Sequence, residues 1–133
     1  MDKNDILKEL NYIVDNKILR PTDFWLSNRS ALVIYGIKES VDYLIINCRQ
    51  NIFNNLIKRN NYIYRIERKK KITDLKPNVL LYEDNRPCKF TIIHGFKVET
   101  IYSIMAKKLF YASDKDLEQV DEIQQFLKKH SLP

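Results

Sequence analysis

The chain has 133 residues, 44% of them apolar, with 23 lysines and arginines against 17 aspartates and glutamates, for a net charge of +6. That length fits a single domain over residues 1–133, able to bury roughly two-thirds of the surface its unfolded form exposes. With only Gly36 and Gly95 there is no glycine-rich phosphate loop, and the longest apolar run, residues 31–35, is too short to cross a bilayer; with no apolar leader at the N-terminus, a cytoplasmic protein without a membrane partner is expected.

Ile6, Leu7, Leu10, Ile13 and Val14 recur at spacings of three and four, which predicts an amphipathic helix over residues 2–19 with Asp2 as its N-cap. Pro21 ends it by biasing Arg20 away from helical geometry. A short strand over 23–26 leads to a turn at Ser27 and Asn28, either of which can cap a compact apolar helix over 29–35. Gly36 is placed to stop that helix. Residues 41–48 are apolar on both faces, as in a central strand covered on both sides, and carry one acid, Asp42. A helix over 50–59 follows, its inner stripe formed by Ile52, Phe53, Leu56 and Ile57, and Asn60 and Asn61 break it.

Residues 62–66 alternate as a strand, and a basic run and a turn near Asp74 come next. Residues 78–82 and 88–94 are predicted to form a hairpin joined by residues 83–87, with Gly95 marking a further turn. The last third is helical. Ile101, Ile104, Met105 and Lys108 follow helical spacing, with Lys107 beside them, and Asp114 caps a final helix carrying Leu117, Val120, Ile123, Phe126 and Leu127. The expected architecture is α+β: a mixed sheet of four to five strands flanked by helices, with the C-terminal helices 99–130 packed on the sheet.

Few residues suggest chemistry by composition alone. Cys48 and Cys88 lack a CxxC partner and are expected as free thiols, and the isolated His94 and His130 give zinc nothing to bind. The run Arg65, Arg68, Lys69, Lys70 and Lys71 is a candidate polyanion contact for nucleic acid. The same lysines also suit a solvated strand edge that discourages edge-to-edge pairing. Lysine- and asparagine-rich composition fits a bacterial or phage source with an AT-rich genome, and the eight tyrosines suit a protein interface, either with a partner or between copies as a homo-oligomer.

The strand, turn, helix, turn and strand over residues 25–48 resemble the core of the nucleotidyltransferase fold, the polymerase-beta-like superfamily. The nearest likeness is to small bacterial members of the abortive-infection toxin type. Those place two glycines in the turn before an apolar helix, then Asp-x-Asp on the next strand. Here Ser27 and Asn28 stand in the turn, Asp42 stands at the first acidic position and Leu44 at the second. A second block agrees: an apolar helix with Lys107, then Lys115 and Asp116 opening a further helix. Together the blocks cover roughly residues 23–127.

The resemblance implies magnesium held by converging carboxylates, with phosphates near Ser27, Asn28, Lys107 and Lys115. Asp42 would be the catalytic and metal-binding acid, assisted by Asn78 at the place of the third acid, with Glu39, Glu83 or Asp84 as alternative carboxylates. Magnesium favours hard carboxylate oxygens, and i and i+2 share a strand face, so leucine at the second position removes a ligand. The expectation is a nucleotidyltransferase-fold protein with a degenerate metal site and no resident cofactor, binding a nucleotide, nucleic acid or protein. The alternative is an active magnesium-dependent nucleotidyltransferase with an atypical site.

Overall fold

The computed structural model describes residues 1–130. In chain order the elements are α1 (Lys3–Asp15), β1 (Trp25–Leu26), α2 (Asn28–Tyr35), β2 (Leu44–Cys48), α3 (Gln50–Asn60) and β3 (Tyr64–Glu67). Then come β4 (Lys70–Lys76), β5 (Val79–Glu83), β6 (Phe90–Ile93), β7 (Phe96–Glu99), α4 (Ile101–Tyr111) and α5 (Asp114–His130). The strands form one mixed sheet in the order β3-β4-β5-β2-β1-β7-β6. Pairs β2·β5 and β1·β7 are parallel, and the others are antiparallel.

The α+β class holds, but the sheet has seven strands rather than four to five. Two strands escape a reading by pattern. β4 begins in the basic run, where lysines obscure its alternation, and it is joined to β3 by Arg68 and Lys69 at φ +50° and +66°. β7 is joined to β6 by His94 and Gly95 at φ +52° and +83°. Two-residue loops with both φ positive match the twist of paired strands, and Asn-Gly is their usual signal. Neither loop here carries it.

The predicted hairpin of residues 78–82 with 88–94 does not form. β5 lies between β4 and β2, whereas β6 pairs with β7 at the far edge, so residues 84–89 cross the sheet end. The strand predicted over 41–48 begins only at Leu44, leaving Asp42 in a bend.

Local signals explain the helix limits. Asp2 caps α1 in a reciprocal box with Asp5. The helix stops at Asp15, before the predicted 19, because Lys17 turns left-handed at φ +57° and the Ile18 N–H closes on the Ile13 carbonyl. Ser113, one residue before the expected Asp114, caps α5 by accepting from the Asp116 N–H at 3.1 Å. Gly36 ends α2 at φ +85°, where an added Cβ would meet no atom within 4 Å. Gly36→Ala is therefore expected to lower stability by backbone strain alone, by about 1 kcal/mol in urea unfolding, and Gly36→Asn by less.

One apolar cluster joins Ile6 and Leu10 of α1, Leu32 of α2, Leu44 and Ile46 of β2, Phe53 of α3, Leu81 of β5, Val98 of β7, Ile104 of α4 and Ile123 of α5. Cys48 lies in it as a free thiol, and burial, with Glu83 and Asp23 nearby, pushes its pKa up to about 12. Cys88 is also free. No helix among the described residues is long and apolar enough to cross a membrane.

Candidate functional site

Strand alternation sends Leu44 and Ile46 of β2 into the core and leaves Ile45 and Asn47 facing the other way. Ile45 and Asn47 floor a cleft of about 580 Å³. Its walls are the start of α2 with Ser27, Asn28, Arg29 and Ser30, the approach to β2 with Asp42 and Tyr43, Lys70 of β4, Tyr82 of β5, Arg86 and the inner stripe of α4. Arg29, Lys38, Lys70, Arg86, Lys107 and Lys108 make six basic side chains on the lining, against Asp42, Glu99 and Asp116. The cleft is therefore electropositive and suited to an anion.

Two expected phosphate contacts, Ser27 and Asn28, stand at the N-terminus of α2 within the cleft. Ser27 makes no side-chain cap to the helix; its Oγ accepts from Asn47 Nδ2 at 2.6 Å. The first N–H groups of a helix have no intrahelical acceptor, and those of α2 belong to residues that line the cleft. Asn28 adopts φ +52°, a conformation asparagine tolerates better than most residues. Its Oδ1 accepts at 2.9 Å from Lys108 Nζ, which also donates to Gln119 Oε1.

Lys108 is the cleft residue that motif reasoning missed. It is 6% exposed, and burial lowers its pKa, with Arg29 and Lys38 acting in the same sense against Asp116. The signal was present in the spacing: Lys108 follows buried Ile104 by four, so the inward stripe of α4 has a lysine where an apolar residue belongs. Its hydrogen-bond partners are two amide oxygens, and among the described residues no carboxylate pairs with it.

Lys107 reaches the cleft too, but in a different state. Its Nζ lies 2.8 Å from Glu99 Oε2, and Glu99 is 1% exposed. Ser103 Oγ donates to the same oxygen at 2.7 Å, as does Cys88 Sγ at 3.1 Å, and Lys107 Nζ donates to Cys88 Sγ at 3.1 Å. Burial works against the Lys107 charge, but Glu99 and Cys88 outweigh it and raise the pKa. Lys115 is exposed and does not line the cleft, whereas its neighbour Asp116 does.

The acids do not converge. Asp42 lines the cleft, exposed in the bend before β2. Leu44 is fully buried in the core, so the position matched to the second acid points away from the cleft. The cleft-facing positions of β2 and β5 are Ile45, Asn47 and Tyr82, none a carboxylate. Asn78 sits exposed in the β4–β5 turn at φ +66°, its carbonyl accepting from the Leu44 N–H at 2.9 Å, and is not among the cleft residues. Glu83 shares the core-side alternation of β5 with Leu81. Among the described residues no three His, Cys, Asp or Glu side chains are grouped to hold a metal ion. Asp42 therefore has no carboxylate beside it on the cleft-facing positions of β2 and β5.

Asp84 is engaged elsewhere. Arg86 grips it with a 2.9 Å ion pair, Lys70 lies at 3.5 Å, and Arg49 donates to its carbonyl at 3.1 Å. Burial raises its pKa, but hydrogen bonds from the Arg86 side chain and backbone, with Lys70, bring it down to about 2. A carboxyl depressed in the folded state stabilises above its unfolded value of 3.8 and loses that contribution as pH falls toward 2. Asp84→Asn is expected to be less stable than wild type at neutral pH, and to flatten the fall in melting temperature between those two pH values.

The basic run is divided by the fold. Arg65 and Lys70 share a sheet face with Tyr82, since Arg65 pairs with Ile72 and Ile72 with Tyr82. Arg65 is bound to Glu67 and Asp74, each at 3.4 Å. Lys71 turns to the opposite face, where it donates to Asn54 of α3 at 3.2 Å. Arg68 and Lys69 form the hairpin tip and make no ion pair among the described residues.

This arrangement of sheet and helices has counterparts. The fold is similar to that of JHP933 from Helicobacter pylori, with a TM-score of 0.56 and 19% identity over 98% of this chain and 69% of that one. It is equally similar to a second solved structure, an H. pylori protein provisionally assigned as a nucleotidyltransferase, with a TM-score of 0.55 and 19% identity over 98% of this chain and 71% of that one. The fold is therefore nucleotidyltransferase-like. No family model and no curated protein sequence matches the chain.

Proposed function

We propose that this nucleotidyltransferase-fold protein binds a nucleotide by its phosphates in the cleft between α2 and α4, and that it has lost two-metal transfer chemistry in a lineage akin to the abortive-infection toxin type. Lys108 carries the reading. It is a buried cation held by the Asn28 and Gln119 amides, beside the open N-terminus of α2. Phosphate oxygens would replace the amide contacts with a charge-assisted one. Arg29, Lys38 and Arg86 add positive charge around that point. The absence of an acid pair on the cleft faces of β2 and β5 supports the loss of transfer, because ions bridging a triphosphate need several carboxylate oxygens.

The test is calorimetric titration of ATP, GTP, CTP and UTP with and without magnesium, alongside a label-transfer assay with alpha-labelled triphosphates. Binding that persists in EDTA, with no label transferred to protein or RNA, is the expected result. Label transfer that requires magnesium and vanishes in Asp42→Ala would establish the active alternative instead.

A further inference from the structure

The helix that supplies Lys107 and Lys108 ends in aromatic residues that the core does not use. Phe110 is 83% exposed and Tyr111 62%, with their rings edge to face at 5.3 Å. Neighbouring exposed rings offer flat apolar surface to a ligand. Tyr111 also lines the cleft, and its hydroxyl accepts from Arg86 Nη1 at 3.3 Å. Arg86 and Lys70 meet on the Asp84 carboxylate at 2.9 and 3.5 Å, so two cations share one anion there. Lys70 directly follows the hairpin tip, Arg68 and Lys69. An unbroken path of contacts and chain thus runs from the basic tip, past the cleft mouth, to a pair of exposed rings.

We propose that this path takes a single-stranded nucleic acid, with an unpaired base stacked on Phe110 and Tyr111 and its phosphates following Arg86, Lys70 and the tip. The inference rests on the reading of the cleft as a phosphate site. Aromatic faces beside a positive track bind bases with little sequence preference, because every base has a π-face and every link a phosphate. Charge complementarity selects this occupant: an acidic chain with flat apolar rings matches a rim that combines net positive charge with exposed aromatic surface. A duplex hides its base faces and could use only the cations.

Fluorescence anisotropy tests it with a labelled strand of about 12 nucleotides, as RNA and DNA, and with the corresponding duplex. Phe110→Ala with Tyr111→Ala is expected to weaken single-strand binding about tenfold and to leave the salt dependence unchanged. Arg68→Gln with Lys69→Gln is expected to reduce the slope of log affinity against log salt by about 1.4. All these positions are exposed, so folding is preserved, and circular dichroism checks it. Equal binding of duplex and single strand, or aromatic variants within twofold of wild type, would overturn the proposal. So would a change from dimer to monomer on removing the rings, which would assign them to a contact between copies. Triphosphate binding that survives where the strand fails to bind overturns this inference alone; failure of both removes the cleft reading with it.

Discussion

Leu44→Asp is expected to unfold the protein, whereas Ile45→Asp, one residue away, is expected to leave it folded and to make its nucleotide binding depend on magnesium. Leu44 is fully buried in the apolar cluster. An aspartate there would have to stay ionised without a partner or take up a proton, and either route costs several kcal/mol, a large part of the stability of a domain this size. Ile45 lines the cleft. A carboxylate there meets water and the surrounding lysines. It would repel a triphosphate in EDTA, weakening binding about tenfold for each 1.4 kcal/mol of repulsion, and added magnesium would relieve the repulsion. Urea unfolding and calorimetry with and without magnesium read both outcomes. A cooperatively folded Leu44→Asp protein with the wild-type midpoint would show that the register of β2 is wrong.

The second large effect is expected at Lys108. Lys108→Met keeps an unbranched side chain of similar length in the stripe of α4 and removes the cation. Nucleotide affinity should fall by about tenfold to a hundredfold, since a hydrogen bond to a charged group contributes about 1.5–3 kcal/mol. Stability at neutral pH should change little, because the loss of contacts to Asn28 and Gln119 is offset by removal of a buried charge. The pH profile separates this from a packing defect. Burial lowers the folded pKa of Lys108 below its unfolded value of 10.5. In that interval the unfolded chain holds more protons, so wild-type stability gains a rising contribution as pH climbs toward 10.5. Lys108→Met should lack that contribution. Unchanged nucleotide affinity in a folded Lys108→Met protein would remove the central cation from the proposed site.

The two substitutions locate where sequence reasoning stopped. The block around Ser27 and Asn28 was legible because a turn before a short apolar helix has local signals, and Asn28 takes the left-handed conformation that asparagine accommodates. Counting from Asp42 puts the second acidic position at Leu44 only if both lie on one strand. Asp42 lies in a bend, so the period of two does not begin until Leu44. The alternation of β2 itself turns Leu44 into the core and Ile45 toward the cleft. Likewise, the five bases over residues 65–71 read as one patch until a two-residue turn at Arg68 and Lys69 divided them between two faces and a tip.

What the amino-acid sequence determined by itself was the set of local events: the cap at Asp2, the stop at Gly36, the apolar stripes of the helices and the α+β class. Each depends on residues within a few positions of one another, whose dihedral preferences and spacing act before the chain is compact. The tertiary structure alone decided which strands became neighbours and which side chains faced the cleft. It paired β5 with β2 instead of β6, and it set Lys108 against Asn28 across 80 positions of chain. Those outcomes follow from burying one shared core, where the favourable term is the apolar area all the elements remove from water together, and no single segment carries that quantity in its own pattern.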